Sequence, residues 1–372
     1  MSNSSSTGFE VSTANAILGK LVHRLPGFWI KIGNLETKIL QDRIEQIPIQ
    51  EPVFIAGLAR SGTTILLELL SLLEQVGTHK YRDFPFLFTP YAWNWLVAQA
   101  PNRDTEPKER AHNDRIRVTP ESPEAMEEPL WMAFFQNLHD PNRSNLLDSD
   151  ARQESFDRFY ADHIRKLLLI RGGTRYVSKG NYNVSRIAYL FSLFSDARFL
   201  IPIREPSAHI ASLMKQHALF VENCKGNPRA LEHLQQVGHF EFGMNIRPIN
   251  MGNSAAVREI MDLWRHGETV RGWARYWSHI YGSLFDTLQA NREIASSSYV
   301  VVYEEFCEAP AETAERILRH CDLTAEQAII TAFCKGVSAP GYYQASFTAR
   351  ELSIIREETE KVASLFGYET VC

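Results

Sequence analysis

Short apolar runs recur along this chain, and each passes into a turn and then into apolar residues at helical spacing. Val53, Phe54 and Ile55 form the first run, rich in β-branched and aromatic residues, and read as a buried strand. Gly57 to Gly62 follows as a glycine-bracketed turn, and Ile65 to Leu73 then repeats leucine at helical intervals. Arg198 to Ile203, RFLIPI, is the second strong run, with Pro202 weakening its ladder near the end. It leads into REPSAHIASLMKQH, where Pro206 stands near a helix start. Tyr299 to Tyr303, YVVVY, is a third strand, and Arg175 to Ser178 a shorter one leading to Lys179. Strands alternating with helices, mostly without hairpin signals, predict an α/β fold with a central parallel β-sheet flanked by helices.

Before the first strand, apolar residues from Ala14 to Ile47 keep helical spacing, broken at Pro26 and closed by Pro48 and Pro52. Residues 1–50 therefore read as a polar tail and helical lead-in, and 51–372 as a single domain. Ala151 to Ile170, Tyr182 to Phe194, Thr324 to Cys334 and Glu351 to Leu365 read as helices. Val257 to Asn291 reads as one long helical stretch with Gly267, Gly272 and Gly282 as kink points. Residues 101–123 are polar and predict a surface loop or lid, and 218–256 a helical and loop insertion over the site. His79 to Leu96 is strongly aromatic. Phe84, Phe86, Phe88, Tyr91, Trp93 and Trp95 either line an acceptor pocket or pack the core. In SPEAMEEPLW, Ser122 suits an N-cap and Pro123 the first helical position. Glu124, Glu127 and Glu128 then crowd about one turn. Either they raise one another's pKa, making one a general base, or they simply favour the helix dipole.

Composition narrows the class. At 372 residues, 44% hydrophobic and 22% charged, the chain is long enough to bury a large core without staples. A net charge of −5 offers no overall attraction to nucleic acid, so any anion site must draw on local positive charge. The five cysteines are scattered, with no C-x-x-C pair, which argues against a disulfide framework or zinc site. The N-terminus lacks a secretory pattern, and no run approaches the roughly 18 apolar residues of a spanning helix. The expectation is a cytoplasmic protein without a transmembrane segment.

The chemistry concentrates in Glu51 to Leu73. A strand, a glycine-bracketed turn and a helix start aim backbone N–H groups and a partial positive charge at an anion. Arg60 adds a full charge, and Ser61, Thr63 and Thr64 add hydroxyls. The spacing approaches the Walker pattern G-x-x-x-x-G-K-[ST]: Gly57, Gly62 and Thr64 match, but Thr63 stands where the lysine belongs. That lysine reaches the β- and γ-phosphates of a triphosphate, so its absence argues against an ordinary ATPase or kinase.

The R-S-G-T-T turn resembles the 5′-phosphosulfate loop of sulfotransferases that use 3′-phosphoadenosine 5′-phosphosulfate (PAPS), whose Golgi and many bacterial members carry arginine at the Arg60 position. The resemblance implies a P-loop-like sulfotransferase fold. It assigns Arg60, Ser61, Gly62, Thr63 and Thr64 to the 5′ end. A second signature of the family, a strand-end arginine with serine eight residues on, matches Arg204 and Ser212, and implies the 3′-phosphate site. Tyr303 resembles the tyrosine near the adenine, and Lys179 the lysine that steadies the sulfuryl group. The cytosolic animal enzymes follow that lysine by two residues with a catalytic histidine; here that place is Asn181. The acidic segment Ser122 to Glu128 resembles that of bacterial relatives, which ranks Glu124, Glu127 and Glu128 first as bases. Asp83, near where the tyrosine-sulfating branch has a glutamate, comes next, and His112 third. The family's C-terminal basic loop has no clear counterpart, and Arg350 is offered in its place. The implied reaction is in-line sulfuryl transfer from PAPS to a hydroxyl or amine of a small-molecule, lipid or glycan acceptor, with protein cations in the role of a metal. Two rivals stand beside it: a P-loop kinase or other phosphotransferase, and a non-catalytic nucleotide-binding member of the fold. The acceptor's identity and the oligomeric state are not legible.

Overall fold

The computed structural model describes residues 13–99, 106–110, 117–339 and 346–368. Its strands are β1 (Val53–Ala56), β2 (Val76–Gly77), β3 (Lys108–Glu109), β4 (Arg117–Val118), β5 (Arg175–Gly180), β6 (Arg198–Ile203) and β7 (Ser298–Val302). Five make the central sheet, in the order β2-β5-β1-β6-β7. All its pairings are parallel, with Ile55 opposite both Lys179 and Leu200. Strands β3 and β4 form a separate antiparallel pair.

Parallel strands covered on both faces need apolar side chains on both, which is why β1 reads as an unbroken apolar run. Alternate residues enter different cores. Val53 and Ile55 pack with Leu66, Leu67 and Leu70 of the helix Thr63–Ser71 and with Ile317 of the helix Pro310–His320. Phe54 faces the larger cluster, with Phe199, Trp131, Tyr160 and Trp277. Because the strands run one way, their C-terminal ends deliver the Gly57 turn, Lys179, Arg204 and Tyr303 to a single edge of the sheet. Ligands of open α/β sheets bind at that edge.

The lead-in forms the helices Thr13–Arg24 and Pro26–Ile44, divided at the expected proline. It is fastened to the sheet's covering layer: buried Lys166 pairs with Glu36 at 3.1 Å and donates to the Gly33 carbonyl at 3.2 Å. Among the described residues no helix is long and apolar enough to cross a membrane.

Several expectations are corrected. The stretch from Val257 is not one kinked helix but two, Ser254–Arg265 and Thr269–Ala290, separated at Gly267. No helix starts at Pro123. Ser122 closes a turn, its hydroxyl accepting from the Thr119 N–H, and Pro123 bridges to Lys80. The helix starts at Glu128, with Pro129 in its first turn. Two prolines compete for one helix start, and pairing of the Glu124 N–H with the His79 carbonyl keeps the first in an extended segment. The segment from 218 begins inside a helix, Pro206–Cys224, and includes a second one, Pro228–Gln236, capped by the Asn227 side chain.

Candidate active site

The turn after β1 is held by its own side chains. The hydroxyl and N–H of Ser61 both donate to the Leu58 carbonyl, at 2.7 and 3.2 Å. Ser61 is wholly buried and outside the cavity lining, so its hydroxyl supports the turn instead of facing a ligand as expected, whereas Thr63, though also buried, borders the cavity. Arg60 and Gly62 take positive φ, 73° and 105°. A Cβ on Gly62 would lie 2.8 Å from the Tyr303 ring, so only glycine lets that ring close on the turn. The helix Thr63–Ser71 starts there, and its first N–H groups have no intrahelical acceptor. Behind the turn, buried His209 carries its proton on Nε2, 2.9 Å from the Ala59 carbonyl, because Nδ1 accepts from the Trp277 indole at 3.1 Å. Burial, aided by Arg204 and Arg60, outweighs that carbonyl and brings its pKa down to about 3, so the ring is neutral.

Two cationic groups converge on this turn. On the β6 side, Arg60 Nε donates to Ser212 Oγ at 3.3 Å, joining the two sequence signatures directly. The Arg204 guanidinium lies 5.0 Å from the centre of the Tyr303 ring. Its Nε is a buried donor with no hydrogen-bond partner among the described residues. On the β5 side, Lys179 Nζ donates to Thr64 Oγ1 at 3.1 Å and pairs with Glu124 at 3.3 Å. Arg110 reaches the same Thr64 hydroxyl at 3.4 Å. Arg60, Thr64, Arg110, Lys179 and Glu124 all line one cavity of about 420 Å³.

The carboxylates are more fully engaged than their crowding in sequence suggests. Glu124 accepts from the Tyr81 hydroxyl at 2.5 Å and from the Ala125 N–H at 2.7 Å. Burial pushes its carboxyl up, but Lys179 and Arg110 with these bonds outweigh burial and hold it at about 2. Glu128 behaves alike: burial opposes, and the Arg186 fork (2.6 and 2.9 Å) and His139 (2.7 Å) bring it to about 2. Mutual raising of pKa is therefore corrected, since each of these two carboxylates answers to its own cations. Glu127 turns inward, accepting from Tyr160 (2.8 Å), Ser178 (2.7 Å) and Tyr176.

Asp83 stands outside the cavity lining. It is saturated by Arg171 (2.6 and 2.7 Å), Asn94 (3.1 Å), His79 (3.1 Å) and the Lys80 N–H (2.9 Å). Burial is outweighed by His79 and Arg171, leaving its carboxyl well below the usual range. These bonds make it a structural anchor rather than a base. Arg350 is exposed in the first turn of the helix Ala349–Leu365 and does not line the cavity. His112 lies outside the described residues. Of the aromatic run, only Phe84 among the six expected rings borders the cavity. Phe88 packs against Phe159, and Phe86 against Trp29 and Trp93, so core packing claims them. Sequence reasoning missed Arg110, one of several charges in a polar stretch, and Tyr81, which lies in the aromatic stretch from His79 but is not one of the six rings singled out there. The segment from 218 supplies one wall of the cavity, including Phe220, Leu234, His239 and Glu241.

A parallel sheet, a glycine turn at a helix start and cations gathered at the strand ends define an α/β protein of P-loop-like fold. The sulfotransferase family profile matches residues 52–243, and the chain belongs to that family. Among solved structures, a sulfotransferase from Mycobacterium avium aligns with a TM-score of 0.51 at 15% identity, over 90% of this chain and 82% of that one. A sulfotransferase from Mycobacterium tuberculosis aligns with a TM-score of 0.49 at 17% identity, over 94% and 83%. At such identity the first likeness is one of fold. No curated protein sequence matches the chain.

Proposed function

We propose that this chain transfers a sulfuryl group from PAPS to a hydroxyl or amine of a small-molecule, lipid or glycan acceptor. The carrying observation is the Arg60–Ser212 contact, which ties the turn after β1 to the helix after β6 across 152 residues of sequence. A glycine turn and a strand-end arginine with its following helix, so joined, suit a ligand with phosphate groups at both ends. The buried, unpartnered Arg204 Nε supports the 3′-phosphate role for Arg204 with Ser212, since an orphaned buried donor calls for an acceptor. Tyr303, against Gly62 and under Arg204, takes the adenosine side.

At the 5′ end, the N–H groups of the turn with Arg60, Thr63 and Thr64 hold the phosphosulfate. The acceptor atom attacks sulfur in line, a new bond to sulfur forms, and the bond to the bridging phosphate oxygen breaks. Lys179 and Arg60 offset the charge that develops on that oxygen. Glu124 takes the acceptor proton. As Lys179 turns toward the leaving oxygen, the cation that depresses Glu124 is shared and the carboxylate gains basicity.

Calorimetric titration tests the donor. 3′-Phosphoadenosine 5′-phosphate (PAP), the desulfated product, is expected to bind at least tenfold tighter than ATP with Mg²⁺, and preference for ATP overturns the reading. Labelled PAPS offered to a panel of phenols, amines, lipids and sugars, with Arg60→Ala as control, tests catalysis. Tight PAP binding with no transfer to any class would leave a nucleotide-binding module instead of an enzyme.

A further inference from the structure

The same cavity contains a second polar group that donor binding does not use. Asn181, two residues beyond Lys179, donates its Nδ2 to Glu241 Oε1 at 2.8 Å. That bond fixes the amide's orientation and leaves Asn181 Oδ1 and Glu241 Oε2 pointing elsewhere. Both are buried hydrogen-bond acceptors with no partner among the described residues, and both residues line the cavity. His239 Nδ1 lies 3.2 Å from Glu241 Oε2, within reach of charge attraction, but off the line a hydrogen bond requires.

This arrangement is firmly held. The Phe240 N–H, between His239 and Glu241, donates to the Tyr182 hydroxyl at 2.9 Å, and the Arg247 N–H donates to the Phe240 carbonyl at 2.8 Å. The contrast with the other carboxylates of the cavity is chemical. Glu124, Glu127 and Glu128 each spend both oxygens on donors from the protein, whereas Glu241 spends one. Leaving a buried acceptor unpaired costs about 1–3 kcal/mol, more for a charged group. Two such acceptors side by side suit a ligand that brings O–H or N–H hydrogens and disfavour one that brings only lone pairs. Around them, Phe84, Phe220, Leu234 and Val237 offer an apolar wall.

We infer that Glu241 and Asn181 form an acceptor-binding subsite, receiving a hydroxyl or amine other than the one whose proton Glu124 takes, on a compact molecule whose body is largely apolar. The name acceptor rests on the sulfotransferase reading; the binding preference does not. A site built to pair a hydroxyl discriminates strongly against the analogue lacking it, because its own polar atoms are then stranded.

The test uses a matched pair of probes, 2-naphthol and its methyl ether 2-methoxynaphthalene, titrated by fluorescence into the full chain with and without saturating PAP. The expected result is at least tenfold tighter binding of the naphthol. In Glu241→Leu that preference falls below threefold, while PAP affinity stays within twofold of the parent, showing an intact fold. Equal affinity for the two probes, absence of binding by either, or a preference that survives Glu241→Leu overturns the inference. Failure of PAP to bind the parent chain would count against the donor reading alone, because the probe comparison without PAP still judges the subsite.

Discussion

At the scale of single residues, the site works through pairing across the cavity. Lys179 is 8% exposed and divides its donors between Thr64 and Glu124, so it is held in place before any ligand arrives. Arg60 is a different case, reaching sideways to Ser212 from a strained backbone position. Arg60→Ala is expected to weaken PAP binding by about tenfold to a hundredfold, the worth of a charge-assisted hydrogen bond, as read by calorimetry. The paired carboxylates carry a second prediction. Glu124 and Glu128 titrate at about 2 in the fold, below the ordinary 4.5. Their ionised forms therefore stabilise the folded state. That contribution is complete above pH 4.5 and is lost as pH falls from there through 2. Each is worth on the order of 3 kcal/mol. Denaturant unfolding at pH 7, 4.5 and 3 should show a marked drop only in the last step, and Glu128→Gln should flatten it. A stability unchanged down to pH 3 would contradict the pairing.

At the scale of elements, two close approaches require glycine and separate the two halves of the site. Gly62 has φ 105° and meets the Tyr303 ring; Gly238 has φ 73°, and a Cβ there would lie 2.3 Å from Glu128 Cγ. Gly62→Ala should abolish PAP binding while leaving most of the fold. Gly238→Ala should preserve PAP binding and impair acceptor turnover, because it displaces the wall that carries His239 and Glu241. Parallel calorimetry and transfer assays on the two variants check this division. The strand, turn and helix around Gly62 were legible because each leaves a mark within a few residues: β-branched runs, bracketing glycines, leucine spacing. The start of the helix at Glu128 was not, because Pro123 and Pro129 satisfy the same local rule. The choice fell to a backbone bond from Glu124 to His79, more than forty positions upstream.

At the scale of the whole molecule, the parallel sheet makes one edge out of four distant segments, and the N-terminal helices close over its covering layer. Lys166 and Glu36 form a buried ion pair within that closure, with side-chain exposures of 0% and 8%. Lys166→Ala strands the Glu36 carboxylate and should cost about 3–5 kcal/mol in denaturant unfolding. The double variant Lys166→Met with Glu36→Gln should recover much of that loss, since neither new side chain carries a charge to be buried. The lead-in is thus packed onto the domain, even though its sequence reads as a separate helical preface.

What the sequence determined alone was everything written in short-range terms: the alternation of strands and helices, the glycine-bracketed turn, and the cation at the end of β6. Backbone preference and hydrophobic period act over a few residues, so a reader of the chain meets them directly. The tertiary structure decided which charges answer one another. Glu128 meets Arg186 across 58 residues, Glu124 meets Lys179 across 55, and Asn181 meets Glu241 across 60. Electrostatic free energy depends on distance and burial, and neither has a local signature. For that reason the turn after β1 could be read in advance, while the state of the carboxylates and the two unpaired acceptors beside them emerged only from the fold.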